Sequence, residues 1–170
     1  MNPKYFGDSY DLVKRFFCHE LSLLGYSVVV DAMLTGAWDN KEKEFYRLIG
    51  GQPATTAKST SKRTAFFLDP NTGINEKGSK QHASFDRLAG EATNNELAFA
   101  FDQAFSRLHK ARDVALTKLT SLQSRGCHGM YYDSHARFVF VSKRKSSIVE
   151  LQRHLQSLGL PASRLITVGD

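Results

Sequence analysis

The amino-acid sequence predicts an α/β fold, a three-layer sandwich built on a mostly parallel sheet of about five or six strands with an antiparallel pair near the C-terminus. Three observations predict it. Short, continuous apolar runs, the mark of strands covered on both faces, recur along the chain. Segments with helical apolar periodicity alternate with them, as right-handed β-α-β crossovers require. The first three apolar runs each stop at an aspartate, namely Asp31, Asp69 and Asp102.

Taken in order, Leu12, Val13, Phe16, Phe17, Leu21 and Leu24 recur at three- and four-residue spacing, which predicts a first helix capped by Asp8 or Ser9 and closed by Gly25. The valine-rich run 26–30 is the first strand. KEKEFYRLIGG reads as a short helix ending at Gly50 or Gly51, and the polar stretch 52–63, without apolar periodicity, as a mobile loop. Residues 65–68 form the second strand, stopped by Asp69 and the turn-forming Pro70, Asn71, Thr72 and Gly73. A helix over 84–92 precedes the third strand, 97–101. Phe105, Leu108, Ala115, Leu116, Leu119 and Leu122 mark a long amphipathic helix with Gly126 beyond its end. Runs 129–132 and 137–141 flank the turn-prone Asp133 and Ser134 and predict the antiparallel pair. Ile148, Leu151, Leu155 and Leu158 define a last helix closed by Gly159 and Pro161, and 165–168 adds a terminal strand.

Composition bounds what this fold can do. The chain has 170 residues, 41% hydrophobic and 24% charged, which suits a single globular domain over residues 1–170 and argues against disorder. No run approaches the roughly 18 to 20 apolar residues of a membrane span, and MNPKYFGDSYD lacks the apolar region of a secretory leader, so the expected location is cytoplasmic. The two cysteines, Cys18 and Cys127, have no metal-ligand spacing and read as free thiols, with Cys18 buried in the first helix. A net charge of +6 favours contact with polyanions such as nucleic acid. Fingerprints for dinucleotides, P-loop phosphates, serine hydrolases and zinc proteases are all missing.

The strand-end aspartates are the candidate site. In an open parallel sheet, ligands bind outside the carboxyl ends of the strands. Asp31, Asp69 and Asp102 all end predicted strands, so convergence would place three hard carboxylates around a divalent cation, Mg²⁺ or Mn²⁺. Such an ion orients a phosphate and activates water, which predicts a nuclease-like enzyme acting on nucleic-acid or nucleotide phosphates. Asp69, Lys80 and His135 are the candidate catalytic groups. Lys77, Lys80 and His82 follow Asp69 in a polar loop, and His135 occupies the turn between the paired strands, where an imidazole can exchange protons near neutral pH. Arg107 is placed to bind phosphate after Asp102, and Trp38 to stack on a base after Asp31.

GDSYDLVK, DAMLTGAW, FLDPNTGI and FDQAFSR together resemble short bacterial α/β proteins of uncharacterised function over most of the chain. More distantly, GDSYDLVKR and the Asp-Pro strand resemble the entry helix and catalytic strand of Rossmann-like N6-adenine methyltransferases acting on nucleic acid. That resemblance implies a Rossmann-like fold and, as an alternative function, a reduced methyltransferase-like domain binding S-adenosylmethionine near Asp31 and Trp38. The sequence departs from that family at Asn71, where proline and an aromatic residue would follow, and in DAMLTG, which lacks the glycine-rich cofactor loop. A further alternative is a non-catalytic effector of a bacterial defence or toxin system, holding nucleic acid or a partner protein on its basic surface.

Overall fold

A computed structural model of the protein describes residues 1–57, 63–104 and 110–168. A short 3-10 turn, Pro3–Tyr5, leads into α1 (Ser9–Leu23), whose N-cap Asp8 accepts hydrogen bonds from the backbone amides of Tyr10 and Asp11. β1 (Ser27–Asp31) follows, then α2 (Glu42–Ile49), which ends on Gly50 in the left-handed conformation, φ 78°. β2 (Gln52–Pro53), β3 (Thr64–Leu68), β4 (Gly73–Asn75) and β5 (His82–Ser84) precede α3 (Phe85–Asn94), capped by the Ser84 hydroxyl. The chain continues through β6 (Leu97–Phe101), α4 (Ala111–Gln123), β7 (His128–Tyr132), β8 (Phe138–Ser142), α5 (Lys145–Ser157) and β9 (Leu165–Thr167).

The main sheet has seven strands in the order β2-β1-β3-β6-β8-β7-β9, and β4 and β5 form a separate parallel pair. Strands β2, β1, β3 and β6 are mutually parallel, whereas β8, β7 and β9 join through antiparallel pairings. The sheet is therefore mixed, with more strands than the five or six expected. The extra member is β2, two residues long at one edge, while the expected terminal strand is the three-residue β9 at the other. From β1 the chain runs outward to β2 and then returns to β3 on the other side of β1, so the winding direction reverses between β1 and β3.

Two cores lie on opposite faces of the sheet. On one face, Val28, Val30, Phe67, Phe99, Phe138 and Phe140 pack with Phe17 and Leu21 of α1, Phe45 and Ile49 of α2 and Leu151 and Leu155 of α5. On the other, Leu68, Ala98, Ala100, Tyr131, Val139 and Val141 pack with Leu88 of α3 and Leu119 of α4. Small alanines on β6 let the helices approach the second face, and stacked phenylalanines fill the first; the Phe67 and Phe99 rings lie 4.5 Å apart.

Two sequence expectations change. Leu12, expected on the buried stripe of α1, is 58% exposed, because the inward face runs through Asp11, Lys14, Phe17, Cys18 and Leu21. The expected loop 52–63 begins as β2 beside β1, and at its far end the Arg63 guanidinium donates to Glu96, Glu150 and the Leu24 carbonyl. Residues 58–62 and the 105–109 start of the expected long helix lie outside the described residues. Both cysteines are buried free thiols, and among the described residues no helix is long and apolar enough to cross a membrane.

Candidate functional site

Register and side-chain alternation decide where each strand-end aspartate points. Asp31 pairs with Leu68, and Leu68 with Ala100, so these positions share one face of the sheet. Asp102, two residues beyond Ala100, continues on that face. Asp69 is one residue beyond Leu68 and turns to the other. The three carboxylates therefore do not converge. Asp31 and Asp102 lie towards α3 and α4 with β3 between their strands, and Asp69 lies beneath α1.

Each aspartate also has its own cation. Asp31 is half-buried; its Oδ1 accepts from the Met33 amide at 2.9 Å, and its Oδ2 is ion-paired with Arg87 of α3. Asp102 is fully buried and closed on all sides. Its Oδ1 accepts from the amides of Ile74, 3.0 Å, and Ala104, 3.2 Å, and its Oδ2 from Lys118 Nζ, 2.5 Å, and the Tyr131 hydroxyl, 2.7 Å. This aspartate fastens β4 and the β6–α4 loop to the sheet. Burial, with Asp102 alongside, raises the Tyr131 pKa far above the ordinary phenol range, so the hydroxyl remains a donor. Among the described residues, no group of three or more histidine, cysteine, aspartate or glutamate side chains is placed to hold a metal ion. Donors already neutralised by Arg87, Lys14 and Lys118 do not fit the divalent centre expected from the sequence.

Asp69 differs from the other two. It is 1% exposed at the end of β3, and its Oδ2 accepts from Lys14 Nζ at 2.9 Å. Lys14 also donates to Asp11 Oδ1 at 2.9 Å and lies over the Phe101 ring, 4.9 Å from its centroid. Among the described residues, Asp69 Oδ1 has no hydrogen-bond partner. One lysine is thus shared by two carboxylates. Burial opposes its charge, but the pull of Asp69 and Asp11 outweighs it, and the Lys14 pKa is raised. For Asp69 the balance is reversed: burial raises its pKa more than Lys14 and the amino terminus lower it.

This cluster forms the floor of a cavity of about 450 Å³ at the carboxyl edge of β3 and β6. Tyr5, Tyr10 and Phe101 supply aromatic surface, and Asn71, Gln81 and Gln103 supply amides. The amide nitrogens of Asn71 and Gln103 are used, donating to Thr35 Oγ1 at 2.7 Å and to the His135 carbonyl at 2.9 Å. Among the described residues their amide oxygens accept no hydrogen bond, and each nitrogen keeps a second N–H. Met1 also lines the cavity, its amine donating to the carbonyls of Ala32, 2.8 Å, and Met33, 2.9 Å, just beyond β1. Burial lowers the pKa of that amine to about 6.

The remaining candidates fall on both sides of this boundary. His135 is exposed, but its ring stacks on Tyr10 and its Nε2 shares a 2.8 Å hydrogen bond with the Tyr10 hydroxyl, which brings it to the cavity rim. Lys80 is exposed next to the rim residue Gln81, as is Lys77 further back in the same loop, and His82 pairs with Ser79. Trp38 is a correction. It is 3% exposed and packs against Phe6 and Phe45, so it belongs to the core and offers no base-stacking surface. Arg107 lies outside the described residues.

Sequence reasoning missed Asp11, Lys14, Tyr10 and Gln103. The signal for the first two was present, since positions 11, 14, 18 and 21 repeat at helical spacing, but a search for apolar stripes passes over charged residues on the inner face. Fold and cavity together define an α/β protein with two buried aspartates on opposite faces of a seven-stranded sheet, both oxygens of Asp102 paired and, among the described residues, Oδ1 of Asp69 unpaired. Compared with protein-family models, curated proteins and solved structures, the chain has no match.

Proposed function

We propose that this chain is a Rossmann-like α/β sandwich that binds a nucleotide, free or within a nucleic acid, by holding the base in the cavity at the ends of β3 and β6. One observation carries the reading: the floor is a buried, ion-paired carboxylate with an oxygen that has no donor among the described residues. An unpaired buried acceptor costs about 1–3 kcal/mol, which a ligand N–H would relieve. With the Asn71 and Gln103 oxygens nearby, the cavity is rich in acceptors and walled by rings, so it suits a flat ligand with an exocyclic amine.

The reversal of winding between β1 and β3 supports the location, because open α/β sheets bind ligands beside such a switch point. The net charge of +6 supports a polyanionic ligand. The resemblance of the Asp-Pro strand to the catalytic strand of N6-adenine methyltransferases acting on nucleic acid agrees with a nucleotide ligand at this edge. Its cofactor half is not supported: Trp38 is a core residue, and Met1 lies just beyond β1, where S-adenosylmethionine was expected. The reading is therefore one of base recognition, with no group-transfer step assigned.

Calorimetry with the four ribonucleoside monophosphates tests it. Adenosine, cytidine and guanosine monophosphates, each of which carries an exocyclic amine, should bind about tenfold or more tightly than uridine monophosphate, which has none. Asp69→Asn, checked for folding by circular dichroism, should erase the preference. Equal affinity for all four, or no heat with any at millimolar concentration, overturns the proposal.

A further inference from the structure

We infer that the Tyr10–His135 ring pair is a second stacking subsite, receiving the base adjacent to the one in the cavity, and that the ligand is a single-stranded polynucleotide; this rests on the base-binding reading above. The inference starts from an oddity of His135. A histidine exposed in a turn ordinarily samples several rotamers, because nothing restrains it. Here the ring is fixed from one side. It stacks on Tyr10 with centroids 5.1 Å apart and planes 19° from parallel, and the Tyr10 hydroxyl and His135 Nε2 share a hydrogen bond of 2.8 Å.

The turn beneath the ring is fixed as well. Gln103, a lining residue of the cavity, donates to the His135 carbonyl at 2.9 Å. The Ser134 hydroxyl donates to the Ala136 carbonyl at 2.7 Å, and the Asp133 amide to the Arg164 carbonyl at 2.8 Å. Arg164 returns a bond to the Asp133 carbonyl at 3.0 Å, and the Asp102 amide donates to the Arg137 carbonyl at 2.9 Å. The outer face of an exposed imidazole is thereby held at a set position, and among the described residues no second ring covers it.

Tyr10 connects this face to the cavity. It lines the cavity and meets Phe101 edge to face, with centroids 5.4 Å apart. Phe101, Tyr10 and His135 thus form a series of rings running from the cavity wall to the surface. A preformed flat ring at the mouth of a base-sized cavity suits a stacking partner, and the partner available on the same ligand is the neighbouring base. Aromatic stacking of this kind strengthens binding by about tenfold per base and is indifferent to base identity. A free mononucleotide has no second base to place there.

Fluorescence anisotropy and calorimetry on the full chain separate the possibilities, using adenosine monophosphate and a single-stranded oligoadenylate of about six nucleotides. The wild type should bind the oligomer more tightly per site. His135→Ala should lower oligomer affinity about tenfold more than it lowers mononucleotide affinity, and His135→Phe, which keeps a ring, should restore the difference. If the mononucleotide binds but His135→Ala weakens both ligands equally, or neither, the stacking subsite is overturned and the cavity reading stands. If neither ligand binds the wild type, both readings fall together. If the oligomer binds without response to His135→Ala while the mononucleotide does not bind, contact is with the backbone alone, and the subsite is again overturned.

Discussion

Lys14 is a single cation serving two carboxylates inside the protein, and its removal should be felt more than that of any surface charge. Lys14→Met leaves Asp11 and Asp69 without their shared cation, and the loss of one partner from a buried ionic group costs about 3–5 kcal/mol. Denaturant unfolding should show that loss. Replacing Asp11, Lys14 and Asp69 together with apolar side chains of similar volume should recover most of it, because the penalty comes from stranded charge and not from missing volume. A stability change under about 1 kcal/mol for Lys14→Met would mean that the cluster is solvated. Asp69 adds a dependence on pH. Its pKa is raised on folding by burial, so the folded state holds the carboxyl proton more tightly than the unfolded chain does. The stabilising contribution is then complete in acid and declines as pH rises through the folded pKa. Thermal unfolding should accordingly show the wild type losing ground to Asp69→Asn as pH rises above the ordinary carboxylate range, which lies at about pH 4. A constant difference across that range would contradict the raised value.

At the level of elements, the junction between β4 and the β6–α4 loop depends on Gly73 and Asp102 together. Gly73 has φ 108°, and a Cβ there would collide with Asp102 Oδ1 and with the backbone nitrogens of Gln103 and Ala104. Gly73→Ala therefore incurs backbone strain and displaces the closed aspartate at once, and should destabilise by about 3 kcal/mol or more in calorimetric unfolding. It should also shift Gln103, whose amide belongs to the cavity wall. An unchanged melting temperature would show that the junction has slack. Most elements were legible in the sequence, because β3, β6, β7 and β8 are continuous apolar runs and α1, α3 and α5 have caps or periodic faces. β2, β4 and β5 were not, since two or three residues carry no measurable period and pairing alone makes them strands. The phase of α1 was misjudged for a related reason: Asp11 and Lys14 occupy core positions by pairing with each other and with Asp69, and composition does not announce such partners.

Across the whole molecule, the candidate site was legible in part. The sequence marked the carboxyl edge of the parallel strands and Asp69 upon it, and the cavity does lie there. Which acids could meet was a different matter. It depends on the pairings Asp31 with Leu68 and Leu68 with Ala100, contacts between segments distant in sequence, and a shift of one residue moves a carboxylate through the sheet to the opposite face. The same sheet has a further consequence at its margins. β2 is two residues long and ends in Pro53, which has no amide hydrogen to offer, and β9 spans three residues. Unpaired backbone along an outer strand is the template on which foreign chains add and fibrils elongate. Blunted at both borders, the main sheet gives an incoming strand little to zip onto, so its hydrophobic interior strands can be rich in phenylalanine and valine without inviting copies of themselves.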